Sequence, residues 1–91
     1  MDFITRDHLP NPLPPRVWCD FNSADEDGRY WALGLDDLAA AEATVGVQVL
    51  LWDWEEEPLD VLAQVAVLEA WSGRWCARPL SDAFYSGPLP W

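Results

Sequence analysis

The side chains that could carry out acid–base, nucleophilic or metal chemistry are few in this chain. His8 is the only histidine, and it lies in a proline-rich segment with no nucleophile beside it. Cys19 and Cys76 are far apart in the sequence and form no Cys-x-x-Cys pair, so a zinc site lacks ligands. A catalytic base must also be held by a rigid scaffold. We therefore predict no enzyme activity, no metal and no cofactor, and we expect Cys19 to be a buried free thiol.

The run Ser23–Gly28 partly resembles a calcium-binding loop. Oxygen-bearing side chains precede a glycine, but Gly34 occupies the twelfth position, where such a loop needs a bidentate glutamate. Asp27 followed by Gly28 is typical of a tight turn. We predict a turn here and no ion.

Seven tryptophans and 16 acidic residues are the most unusual feature of these 91 residues. The formal net charge is −11. Phosphates repel such a protein unless its arginines cluster, which predicts no direct nucleic-acid partner and no membrane partner. A protein partner with a basic surface is the expected one. The five arginines are scattered along the sequence, at Arg6, Arg16, Arg29, Arg74 and Arg78.

Alternating apolar residues predict a mainly β fold. Residues 59–70 also fit helical spacing, but their valine content favours strand. Residues 36–43, rich in alanine, predict one short helix. The predicted strands cover residues 17–22, 29–33, 47–52, 59–70 and 74–78. Their shared period of two places one set of side chains in a single core: Val17, Phe21, Val47, Val49, Leu51, Val65 and Ala77.

This pattern predicts a small five-stranded SH3-like barrel with one short helical turn between strands two and three. An OB-like fold or an open meander sheet is the second choice. Residues 1–15 are interpreted as a proline-rich N-terminal arm, 16–85 as a single small β-barrel domain, and 86–91 as a flexible C-terminal tail. The first residues have neither a basic region nor an apolar block, so a cytoplasmic location is expected.

The strand phases place several tryptophans outside the predicted core. If Val17 and Leu51 point inward, Trp18 and Trp52 point outward, and Trp31 follows if Tyr30 points inward. Burial of aromatic rings dominates many protein interfaces, so these rings predict a contact patch. The alternative is that the arm or the tail, including Trp91, folds back over them. The predicted partner-binding residues are Trp18, Trp31, Trp52 and Trp54, with Glu55, Glu56 and Glu57 as the acidic rim.

One motif in the chain resembles a sequence motif of other proteins. The run that begins Pro14-Pro15-Arg16-Val17 and continues through Asp20-Phe21 and Ala24-Asp25 to Gly28-Arg29 resembles the opening of a group of short bacterial proteins, PPRVxxDFxxADxxGR. Trp75 and Ala77 resemble the closing WVA-like strand of that group. The resemblance implies a compact single domain and no particular activity.

Composition and pattern together favour a non-enzymatic protein–protein interaction module that uses an outward tryptophan patch ringed by carboxylates. A homodimer is a possible form of this contact. The alternative is an acidic inhibitor that occupies a basic nucleic-acid-binding cleft as a DNA mimic.

Overall fold

The chain forms a mainly β structure with one short α-helix, as the sequence predicts. A computed structural model describes residues 2–56 and 59–91. Across these residues six strands, and not the predicted five, form one sheet. The strands are β1 (Asp2–Ile4), β2 (Arg16–Trp18), β3 (Gln48–Trp54), β4 (Asp60–Trp71), β5 (Arg74–Pro79) and β6 (Ala83–Pro88), and the helix α1 (Leu35–Ala40) lies between β2 and β3.

The long strand β4 organises the sheet, which confirms the strand prediction for this ambiguous segment. β3 pairs antiparallel along one edge of β4, with Leu50 opposite Val65. The other edge is shared, because β6 pairs with residues 60–63 and β5 with residues 66–71. β1 and β2 pair in parallel with β6 and β3. The order is therefore β1-β6-β4-β3-β2, with β5 beside the second half of β4.

The predicted second strand is wrong. Its segment makes only isolated bridges, at Tyr30 and Leu33. The Ser23 hydroxyl accepts hydrogen bonds from the backbone N–H groups of Trp31 and Ala32, at 3.2 and 3.1 Å. A side chain of the preceding turn thus takes the donors that a neighbouring strand would otherwise use.

Sequence reasoning missed the strands near the two ends of the chain. β1 lies in the predicted arm, and β6 crosses the predicted start of the tail. β6 contains Gly87 and Pro88, two residue types that are depleted in strands. The Tyr85 hydroxyl donates a hydrogen bond to the Pro88 carbonyl at 2.6 Å. The pairing of β6 with β1 and β4 is a long-range feature that no local pattern predicts.

Apolar side chains cover both faces of the sheet. Successive strand residues point to opposite faces, so Leu50 and Leu51 are both fully buried but belong to different clusters. The first core comprises Val17, Cys19, Tyr30, Leu38, Val49, Leu51, Ala66, Leu68 and Ala77. The second core comprises Leu9, Leu50, Val61, Ala63 and Tyr85, with Ile4, Leu13, Trp52, Val65, Leu89 and Trp91 packed against it.

The prediction of a single core is therefore wrong in one respect. Six of the seven residues named for it lie in the first core or against it, whereas Val65 packs against the second core. β4 places Ala66 and Leu68 in the first core, one residue out of phase with the prediction. A strand that is buried on both faces gives no alternation from which its phase can be read.

Cys19 is a buried free thiol, as predicted, and Cys76 is another. Burial, with added negative charge from Asp20 and Asp53, raises the pKa of Cys19 from 9.0 to about 12. Because the thiolate is the reactive form, we expect native Cys19 to react at least about three orders of magnitude more slowly than an ordinary thiol at the same pH. Titration of the Cys76→Ser variant with a chromogenic disulfide reagent, native and in urea, measures this. Rapid labelling of the native variant would contradict the prediction.

Candidate functional site

Trp52 and Trp54 lie on the same side of β3, two residues apart, where the strand ends. Their rings meet edge to face with centroids 5.5 Å apart. Trp52 makes a second such contact with Trp91, also at 5.5 Å, and the Arg16 guanidinium lies 4.8 Å from the Trp91 ring centroid. The chain end therefore folds over Trp52, which is half-buried, while Trp54 stays 51% exposed.

Trp18 is held beside these rings by a carboxylate. β2 pairs in parallel with β3 so that Trp18 lies opposite Trp52. The Trp18 indole N–H donates to Asp53 Oδ1 at 3.1 Å, and the Trp54 backbone N–H donates to the same oxygen at 2.8 Å. The Trp18 backbone N–H donates to Asp37 at 2.8 Å. Three of the predicted tryptophans, Trp18, Trp52 and Trp54, thus lie at the same end of the β2–β3 pair, and Asp53 hydrogen-bonds two of them.

Trp31, the fourth predicted ring, lies among different neighbours. Its indole N–H donates to Asp25 at 2.8 Å. The Arg74 guanidinium lies 5.0 Å from its ring centroid. The ring is half-buried in this setting. The structure therefore joins Trp31 to the turn at Asp25 and to β5, and its contacts are not shared with Trp18, Trp52 or Trp54.

The acidic rim has two described members with different surroundings. Glu55 is half-buried and accepts a hydrogen bond from the Ser86 hydroxyl at 2.6 Å. Its backbone N–H donates to the Asp60 carbonyl at 3.1 Å. Glu56 is exposed. Glu57, which the sequence also assigns to the rim, lies outside the described residues.

A groove of about 390 Å³ opens beside Trp54, and we name it the Trp54 groove. Phe21 lies at the centre of its aromatic floor, with ring centroids 5.3 Å from Tyr30 and 5.4 Å from Phe84. Carboxylates beside aromatic faces attract cations, because the ring face carries negative potential. Sequence reasoning missed Tyr30 and Phe84 as site residues, since only the tertiary fold brings them to Trp54. The groove is lined by Phe21, Asn22, Tyr30, Asp53, Trp54, Glu55, Leu62 and Phe84.

Three arginines that are scattered in the sequence come together in the fold. The Nε atoms of Arg29 and Arg78 lie 3.5 and 3.2 Å from Glu69 Oε1. The Arg29 guanidinium lies 5.4 Å from the Trp71 ring centroid, and Arg74 pairs with Trp71 across the β4–β5 hairpin. The fold therefore groups three of the five arginines that are scattered along the sequence. No basic side chain is among the lining residues of the Trp54 groove, so the groove keeps its acidic character.

Asp25 organises the turn that was compared with a calcium loop. One carboxylate oxygen accepts the backbone N–H groups of Asp27 and Arg29, at 2.9 and 3.0 Å, and the other accepts the Trp31 indole N–H. The turn is thus filled by its own donors, and Gly28 adopts the left-handed φ of 81° that the chain reversal requires. The Trp31 hydrogen bond is the main cause that lowers the pKa of Asp25 below its ordinary value of 3.8.

This shift predicts an acid-sensitive contribution to stability. Because the folded pKa lies below the unfolded one, the contribution is complete above 3.8 and is lost as the pH falls through the folded pKa. We expect the wild-type thermal midpoint to fall further between about pH 5 and pH 2.5 than that of the Asp25→Asn variant. Thermal unfolding of both proteins over this range tests it. Parallel pH profiles would contradict the role of Asp25.

Two observations concern the residues that the sequence offers for acid–base and metal chemistry. His8 is exposed, and its Nδ1 lies 2.9 Å from the Thr5 hydroxyl oxygen. Within residues 2–56 and 59–91, no group of three or more histidine, cysteine, aspartate or glutamate side chains is placed to hold a metal ion.

In the part of the chain that the structure describes, no helix is long and apolar enough to cross a membrane. Comparisons with protein-family models, curated proteins and solved structures found no match. The resemblance to the short bacterial proteins therefore stays a prediction.

Proposed function

We propose that this protein is a cytoplasmic, non-enzymatic interaction module that binds a basic segment of a partner protein in the Trp54 groove. The observation that carries the proposal is a groove with an aromatic floor and the carboxylates Asp53 and Glu55, at the end of β3 where Trp54 is 51% exposed, in a chain of net charge −11. The rings supply apolar contact area and the carboxylates supply the complementary charge.

Support for the anchoring role of Trp54 comes from the rings behind it. Trp54 packs edge to face on Trp52, which packs on Trp91. A ring that is already held in place loses less conformational entropy on binding than a free one. Aromatic anchors of this kind contribute a large share of the binding energy at many interfaces.

We also propose that the sheet curves toward the SH3-like barrel expected from the sequence. Two isolated bridges support this: Tyr30 pairs with Ala77 of β5, and Leu33 pairs with Cys19, just after β2. The segment between Tyr30 and Leu33 thus contacts strands on two sides of the sheet. Such a contact reduces the free edges that would otherwise invite aggregation.

The test is affinity capture from the native host, followed by binding measurements with the purified captured protein at several salt concentrations. We expect a partner with a basic surface whose association rate falls as salt rises, because exposed charges are screened. The Glu55→Gln/Glu56→Gln double variant should bind with a lower association rate and a weaker salt dependence. A matched control is Asp36→Asn, an exposed carboxylate on α1.

Several results would count against the proposal. Salt-independent binding of the captured protein would remove the role of the carboxylates. A captured nucleic-acid-binding protein that is released by duplex DNA would favour the DNA-mimic alternative. Sedimentation of the isolated protein in the same buffers would reveal whether the captured partner is a second copy of the chain.

A further inference from the structure

A second groove, of about 600 Å³, adjoins the Trp54 groove, since Tyr30 and Phe84 line both. We name it the Gln64 groove. Its remaining walls come from the turn at Asp27 and from the bend that follows β5. The lining residues are Ala24, Asp27, Gly28, Tyr30, Gln64, Arg78, Pro79, Leu80, Ser81, Asp82 and Phe84.

Gln64 is the buried polar side chain of this groove, at 3% exposure. Its Nε2 group donates to the Ser81 carbonyl at 2.9 Å, which fixes the orientation of the amide. The Oε1 atom is also buried and has no hydrogen-bond partner among the residues that the structure describes. A buried carbonyl oxygen that accepts no hydrogen bond lowers the stability of the folded protein. Gln64 lies opposite Leu51 in the centre of the sheet, so its polar side chain carries this cost.

Two carboxylates line the groove, and one of them has no ion-pair partner among the described residues. Arg78 is paired with Glu69, and Asp27 is paired with Arg29 at 2.9 Å. Asp82 is exposed and forms no ion pair with a described residue. The groove therefore offers two acceptors without donors, the Gln64 carbonyl and the Asp82 carboxylate.

The aromatic rings of the groove favour a flat cation. Burial is the main cause that raises the pKa of Tyr30, with Cys19 and Asp82 adding to it, so the ring remains a neutral phenol. Phe84 contributes a second, buried ring. A guanidinium is planar, carries five N–H donors and stacks on aromatic faces, whereas an ammonium is a compact and strongly hydrated charge.

We infer that the Gln64 groove binds the guanidinium of an arginine in the same basic segment that occupies the Trp54 groove. This inference rests on the proposed function and names the residue that the second groove selects. The guanidinium donates to Gln64 Oε1 and to the Asp82 carboxylate and lies against Tyr30. Because Oε1 is covered in this structure, entry of the arginine requires a local shift, which we assign to the exposed bend Leu80–Asp82, whose Ser81 carbonyl binds the Gln64 amide.

Three synthetic peptides test the inference on the wild-type protein. They are acetyl-Lys-Gly-Arg-Gly-Lys-amide and the two peptides in which arginine is replaced by lysine or by citrulline, the neutral isostere. We expect the arginine peptide to bind at least about tenfold more tightly than the others, since lysine lacks the planar set of donors and citrulline lacks the charge that strengthens the hydrogen bond to Asp82. It should also shift the side-chain NH₂ signals of Gln64 in a ¹H–¹⁵N spectrum. Equal affinities for the three peptides, or unmoved Gln64 signals, would overturn it.

Two variants separate this inference from the proposed function. Gln64→Met keeps a similar volume and should lose the preference for arginine over lysine, while Gln48→Met, at an exposed position of β3, should keep it. A retained preference in Gln64→Met overturns the arginine site alone. Binding of the arginine peptide that is unchanged by Trp54→Ala overturns the proposed function itself.

Discussion

Replacing Leu50 by alanine is expected to lower the free energy of unfolding by about 2–5 kcal/mol. Its side chain is fully buried in the second core, in one cluster with Leu9 and Tyr85. The variant loses the transfer free energy of the removed atoms and leaves a cavity that the neighbours refill only in part. Urea unfolding of the purified protein measures the difference.

This variant tests whether the second face of the sheet is buried, because strand alternation alone would place Leu50 on the outer face of β3. Leu51→Ala, in the first core, should cost a similar amount. Leu35→Ala is the control, since Leu35 is 72% exposed and its loss should change stability by about 0.5 kcal/mol or less. If Leu50→Ala were as stable as Leu35→Ala, the second face of the sheet would be exposed to solvent. Trp91 would then not cover Trp52 as the structure shows.

Replacing Trp54 by alanine is expected to weaken partner binding by about 2 kcal/mol, or roughly 30-fold in Kd. The ring is half exposed, so its removal takes away contact area with the partner and little of the core. We expect the loss to appear mainly as faster dissociation, because charge and not the ring controls the encounter. Surface plasmon resonance with the captured partner resolves both rates.

Trp71 provides a matched control for this variant. It is 53% exposed, against 51% for Trp54, but it lies at the end of β4 beside Arg29. Trp71→Ala should therefore leave Kd within about threefold of the wild type, as expected for a surface residue outside the interface. Equal losses in the two variants would mean that general destabilisation, and not a local contact, weakens binding.

Local sequence patterns predict the strands whose partners lie nearby. β3, β4 and β5 follow one another through short connections, and valine in β3 and β4 and tryptophan in β5 favour strand there. The segment from Arg29 to Leu33 also contains aromatic residues that favour strand, yet the Ser23 hydroxyl accepts hydrogen bonds from two of its backbone N–H groups. Amino-acid composition does not reveal that a side chain competes with a neighbouring strand for these backbone N–H donors.

The candidate site likewise combines residues that local sequence places together with residues that only the folded chain brings together. Trp52 and Trp54 are two residues apart on one strand, so their common side follows from the period of a strand alone. Trp18 joins them because β2 pairs in parallel with β3, and Phe84 joins the groove through β6. Trp31 contacts Asp25 and Arg74 instead, and these contacts form only in the folded chain.

Binding of the partner at Trp54 can be followed through the seven indole N–H signals of the ¹⁵N-labelled protein. Single tryptophan-to-phenylalanine variants assign the signals, and a spectrum with the captured partner shows which of them move. We expect the signals of Trp54 and Trp52 to shift and those of Trp71 and Trp31 to stay unchanged. Shifts at Trp71 and Trp31 with an unmoved Trp54 would place the interface on the arginine cluster and contradict it.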